Sequence, residues 1–140
     1  MKRKYAMLFW GCTAILSLLV VSVCYGADKN IPRINIQDLK KMMDKGEEVT
    51  IIDVQPKAIY DKSHIKGAVS IPWKSQLRTE DVFSIPAGIP IVIYCACGPG
   101  EADSNNFAGQ LEKMGYMDVY VLEHPAIQGW IEAGYPIEKK

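Results

Sequence analysis

Cys95 stands at the end of an apolar run, Ile91-Val92-Ile93-Tyr94. It is followed by Ala96-Cys97-Gly98-Pro99-Gly100 and then by Glu101-Ala102-Asp103-Ser104. This pattern predicts a strand, a short Gly/Pro loop and the first turn of a helix. The layout sets a thiol among backbone N–H groups at a helix N-terminus, where a thiolate or a small anion is stabilised. A free cysteine has a pKa of about 8.5, so a nucleophilic thiolate at neutral pH needs such help. The amides of Ala96, Cys97, Gly98 and Gly100 are the candidate cradle. Gly98 and Gly100 allow the backbone to curl inward, whereas Pro99 stiffens the turn and supplies no N–H.

The elements that must hold this loop follow from the apolar pattern. Asn35 is a candidate N-cap for a helix carrying Ile36, Leu39, Met42 and Met43 and ending at Gly46. Val49-Thr50-Ile51-Ile52-Asp53-Val54 is a β-branched run of the kind found in strands buried on both faces. A helical turn at Ala58–Tyr60 and a loop into a short strand over 64–72 come next. Trp73–Phe83 has no clear period, with room for a helical turn. Ile91–Tyr94 and Val119–Leu122 are two further core strands. Between them a helix fills Ala102–Lys113 and ends at Gly115. A last helix spans Ala126–Ala133, with Trp130 and Ile131 expected to pack inward. Strands alternating with helices indicate an α/β domain with a parallel sheet.

The chain has 140 residues, enough for one domain. Lys2, Arg3 and Lys4 are followed by an uncharged stretch from Tyr5 to Ala27. A basic start and an apolar run form the pattern of an export signal. We therefore expect residues 1–26 to be a signal peptide cut after Gly26, and residues 27–140 to be the exported domain. The alternative is an uncleaved membrane anchor over residues 5–25. A lipoprotein reading through Cys24 lacks the small residue wanted just before that cysteine. The expected location is periplasmic or extracellular, or membrane-anchored and facing out of the cytoplasm. All 16 acids lie beyond the signal but only 13 of the 16 bases do, a net charge of −3. That excess of acid argues against nucleic acid as a partner and leaves a membrane role only to the N-terminal segment.

The landmarks form an ordered set: Ile52-Asp53-Val54, His64-Ile65-Lys66-Gly67-Ala68 with Ile71-Pro72, Val92-Ile93-Tyr94-Cys95, Gly115-Tyr116, Val119-Tyr120-Val121-Leu122, Gly129-Trp130 and Ala133-Gly134-Tyr135-Pro136. From Ile34 to Glu138 this order resembles a single-domain rhodanese, a sulfurtransferase module. The resemblance implies a three-layer fold with a small, mostly parallel central sheet flanked by helices. It also implies that Cys95 takes a sulfane sulfur, carries it as a persulfide and hands it to a nucleophile. The implied partners are a small sulfur donor and a thiol acceptor, with no cofactor and no metal. Asp53 is expected to tie loops together by accepting backbone N–H bonds, and His64 to hold its motif by hydrogen bonding. His124 follows the third core strand as a loop histidine at the Cys95 end.

Departures from the family pattern qualify the donor. Rhodaneses usually carry an arginine at the end of this loop, and here Glu101 and Asp103 occupy the region. The stretch from Cys95 to Gly115 is about three residues longer than the common pattern, one helical turn. Gln55 stands where an arginine often follows Asp-Val, and His124-Pro125 replaces two glycines. Two acids near a thiolate oppose its formation and repel thiosulfate, by about 1 kcal/mol each at surface-like dielectric. At a helix N-terminus the same acids also favour the dipole. Cys97 has three open roles: a passive loop residue, a second thiol that attacks the Cys95 persulfide or bonds Cys95, or a soft-metal ligand beside Cys95. With only His64 and His124 as histidines, the metal signal is weak. Cys12 and Cys24 leave with a cleaved signal, and a bridge across one residue closes too small a loop to stabilise much. The Cys95/Cys97 pair is thus expected to be reactive, and a non-transferring dithiol redox or binding module is the rival function. A phosphatase on a related scaffold would need an arginine clamp, and none lies between Cys95 and Gly115. Trp73 and Trp130 are expected in the core.

Overall fold

The computed structural model describes residues 30–140. The expected signal or anchor over 1–26, with Cys12 and Cys24, lies outside the described residues. Five short strands form one parallel sheet in the order β1-β6-β5-β2-β4: β1 Arg33–Ile34, β2 Thr50–Asp53, β4 Val69–Ser70, β5 Ile91–Tyr94 and β6 Val119–Leu122. The central register pairs Ile51 with Val92 and Ile93 with Val121. All four residues of β5 are buried, as a continuous apolar run with helices on both faces requires.

Alternation along β5 divides the core. Ile91, Ile93 and Cys95 join a cluster with Val82 of α3 (Thr79–Val82) and Phe107, Ala108 and Leu111 of α4 (Ala102–Lys113). Val92 and Tyr94 join the opposite cluster, with Leu39 of α1 (Ile36–Asp44) and Ile127 and Trp130 of α5 (Ala126–Glu132). Each fully buried Ile or Leu contributes on the order of 2 kcal/mol relative to exposure. The result is the three-layer α/β arrangement, helices on both sides of a mostly parallel sheet.

The helix starts follow local chemistry. Asn35 caps α1 by accepting the Asp38 N–H at 2.8 Å. Asn35→Ala should therefore cost about 1 kcal/mol, read as a shift in the urea midpoint without a change in slope. A short α2 (Lys57–Tyr60) covers the expected helical turn.

Three expectations are corrected. The His64–Pro72 segment contains two strands, and only β4 joins the main sheet. β3 (His64–Ile65) pairs antiparallel with β7 (Ile137–Glu138) in a separate ribbon. Ile131 is 44% exposed, because the short α5 turns Ala126, Ile127, Gly129 and Trp130 inward instead. Trp73 is 40% exposed and is not a core residue. Its indole N–H donates to Asn106 on α4 at 3.0 Å, which keeps the ring at the surface.

Candidate active site

In a parallel sheet all strands end at one edge, and the loops beyond those ends form the binding crevice. Cys95 follows β5 at that edge, between Val54 after β2 and Glu123 after β6. The backbone N–H of Trp73 donates to the Val54 carbonyl at 2.8 Å, which places Trp73 at the same rim. A cavity of about 730 Å³ opens at the other end of the sheet, where Ile91 and Asp118 precede or begin their strands. It is remote from the thiol.

Cys95 is 4% exposed and packs with the α4-side core, while Cys97 is half-buried against the same cluster. The two are joined as a disulfide, with Cα atoms 5.4 Å apart. Of the roles the sequence leaves open to Cys97, the structure therefore displays the bonded one. Among the described residues no group of three or more His, Cys, Asp or Glu is gathered to hold a metal ion.

The loop then turns sharply. The Glu101 N–H donates to the Gly98 carbonyl at 3.2 Å, with Pro99 and Gly100 at the corners. Gly98 and Gly100 have φ of 81° and 97°, and a Cβ at either would meet nothing within 4 Å. These glycines are required by backbone conformation, not by crowding. The N–H groups of Ala96, Cys97, Gly98 and Gly100 donate to no protein acceptor among the described residues. They remain available to an anion. Ser104, in the first turn of α4, is fully buried, and its hydroxyl has no hydrogen-bond partner among the described residues.

Glu101 does not act as sequence reasoning suggests. It takes the left-handed conformation, φ 43°, which is uncommon outside glycine. Its carboxylate accepts from the Arg33 guanidinium at 2.9 and 3.3 Å and from the His124 backbone N–H at 2.7 Å. Burial alone would raise this carboxyl, but the Arg33 bond and the His124 N–H together outweigh it and hold it below the usual carboxylate range. Its charge is consumed in latching the loop to β1 and the β6–α5 connection. Asn105 adds another latch, donating to the Gly100 carbonyl. Arg33 was invisible as a site residue, because its partner lies 68 positions away. His124 itself is exposed, and its backbone is what the site uses.

Asp53 is fully buried and accepts the Gln55 N–H at 2.8 Å and the Gln55 amide at 3.1 Å. The Tyr94 hydroxyl also donates to it and accepts the Ile65 N–H at 3.1 Å. Burial pushes the Asp53 carboxyl up despite these bonds. A raised carboxyl means that the folded state binds the proton more tightly, so ionised Asp53 opposes folding above its unfolded pKa. Asp53→Asn should thus hold or raise the melting temperature at pH 7 and lose that advantage near pH 4. An equal fall at both pH values would contradict this.

His64 is buried, and its Nδ1 donates to the Tyr60 carbonyl at 2.8 Å, since that oxygen can only accept. Its ring stacks on Tyr60 with centroids 3.7 Å apart, and Nε2 lies 3.8 Å from a Glu138 carboxylate oxygen. These contacts join α2 to the β3–β7 ribbon rather than to the Cys95 loop.

The family described as Rhodanese-like domain matches residues 35–133. The chain belongs to this rhodanese-like family. The fold agrees with that of the BH2092 protein from Bacillus halodurans, with a TM-score of 0.69, 25% identity and 77% of each chain covered. It also resembles the rhodanese-like domain of the Alr3790 protein from Anabaena, with a TM-score of 0.63, 26% identity, and coverage of 79% of this chain and 81% of that one. Among curated proteins, a probable adenylyltransferase/sulfurtransferase, MoeZ of Mycobacterium tuberculosis, is 27% identical over 100 residues. That match covers 71% of this chain but 24% of MoeZ, so this rhodanese-like chain corresponds to about a quarter of that protein.

Proposed function

We propose that this rhodanese-like chain is an exported sulfurtransferase that carries sulfane sulfur as a persulfide on Cys95 and passes it to a thiol or another nucleophile. The observation that carries this reading is the place of Cys95, buried at the end of β5 on the family's fold and followed by a loop with four amides that have no acceptor among the described residues. Those amides suit both the thiolate and the terminal sulfur anion of a persulfide. The donor is a small persulfide or polysulfide rather than thiosulfate. No Lys or Arg occurs from Ala96 to Glu112, and Arg33 is committed to Glu101. A doubly charged donor therefore meets no lysine or arginine within this loop and the first turns of α4 to balance its charge. Export rests on the basic-then-apolar start of the chain.

Reduced protein should transfer sulfur from glutathione persulfide or polysulfide to a thiol acceptor, and do so faster than from thiosulfate. Failure with every donor sinks the reading. The Cys95–Cys97 bond favours a second one, a dithiol module that exchanges electrons without carrying sulfur. A stable bridge with a measurable potential, in protein that never gains sulfur, would select it.

A further inference from the structure

We infer that Cys97 is a resolving thiol, so that the site reduces persulfides and releases hydrogen sulfide, drawing its electrons from a dithiol reductant. The inference rests on the carrier role of Cys95 proposed above. Its own basis is the pairing and unequal exposure of the two sulfurs. The backbone already holds Cys95 and Cys97 at bonding separation, with Cα atoms 5.4 Å apart, inside the usual span for a disulfide. A persulfide on Cys95 therefore has a second thiol next to its inner sulfur.

The Cys95 thiolate attacks the outer sulfur of RSSH; the donor's S–S bond breaks and RSH leaves with the proton. The Cys97 thiolate then attacks Sγ of Cys95, the persulfide S–S bond breaks, and HS⁻ departs and takes up a proton as H₂S. The product is the Cys95–Cys97 disulfide seen here. A dithiol reductant, R′(SH)₂, restores both thiols and becomes R′S₂. The sum is RSSH + R′(SH)₂ → RSH + H₂S + R′S₂, with the donor's sulfane sulfur reduced and the dithiol oxidised.

Exposure sets the direction of the last step. Cys95 is 4% exposed while Cys97 is only half-buried, so an incoming thiolate reaches Cys97 first. Cys95 is then the leaving sulfur, and the amides of Ala96, Gly98 and Gly100 in the same loop, which have no acceptor among the described residues, are free to stabilise its thiolate. A leaving thiol whose anion is stabilised departs faster. The reductant class follows from this access: a protein or small molecule with two thiols, the second of which displaces Cys97 from the mixed disulfide.

The test is a single turnover of fully reduced protein with glutathione persulfide and no other reductant. Released sulfide and intact mass are read for the wild type, Cys97→Ser and Cys97→Ala. The wild type should release about one sulfide per protein and end as the disulfide, two hydrogens lighter. Both variants should retain one added sulfur on Cys95 and release sulfide at least about tenfold more slowly. Wild type that stores sulfur as the variants do would overturn the resolving role while leaving the carrier reading intact. Protein and variants that neither gain sulfur nor release sulfide would overturn both. Circular dichroism of the two variants checks that they are folded.

Discussion

Cys95→Ser is expected to lower sulfur transfer from a persulfide donor by at least about a thousandfold, to the rate of the uncatalysed exchange. A serine hydroxyl does not ionise near neutral pH and forms no bond to sulfane sulfur of comparable stability. The substitution is nearly isosteric, so the loss is chemical. A buried hydroxyl in place of the thiol costs on the order of 1 kcal/mol, well within the stability of a domain of this size. The variant should therefore elute and melt as a folded protein. It also frees Cys97, which separates the two thiols. If Cys97 were the true carrier, Cys95→Ser would keep much of the transfer activity. Donor-exchange kinetics on the purified variant decide the matter.

Glu101→Ala should carry the second-largest effect, a loss of about 3 kcal/mol in stability together with disorder of the Cys95 loop. The carboxylate is the meeting point of β1, the β6–α5 connection and the start of α4, through Arg33 and the His124 N–H. Removing it leaves a backbone donor without its acceptor and releases the left-handed turn at residue 101. Glu101→Gln keeps an acceptor for His124 but loses the charge, so it should fall between wild type and Glu101→Ala. The pH dependence has a definite sign. The folded-state pKa of Glu101 is depressed, so its contribution is fully present above the unfolded carboxylate range and is lost as pH falls through the folded value. The gap in melting temperature between wild type and Glu101→Ala should be widest near neutrality and close in acid. A constant gap from pH 7 to pH 3 would mean that packing, not charge, holds the latch.

The strands and helices that rely on their own pattern were legible. β5 is a four-residue apolar run and is buried throughout, and α4 spans Ala102–Lys113 as the spacing predicts. Asn35 caps α1 because its short side chain can reach forward to accept an N–H of the first turn. The features that escaped are those made by pairing across the chain. β1 and β7 are two residues each, too short to show a period, and exist because β6 and β3 offer them partners. Glu101 reads as a charge that opposes the thiolate until Arg33 arrives from β1 to neutralise it. Trp73 reads as core by composition, but Asn106 gives its indole N–H a partner at the surface. The place of Cys95, at the end of β5 and before a loop and a helix, was legible. Its bond to Cys97 was one of several readings, because spacing alone does not fix the loop's path.

The central claim is that Cys95 carries the sulfur. Reduced protein is treated with glutathione persulfide, its thiols and persulfides are trapped at once by alkylation, and the peptide containing both cysteines is mapped by mass spectrometry. The Cys97→Ser variant, in which a persulfide cannot be resolved, should show one extra sulfur, on Cys95. An unmodified Cys95, or the extra sulfur elsewhere, would contradict the account.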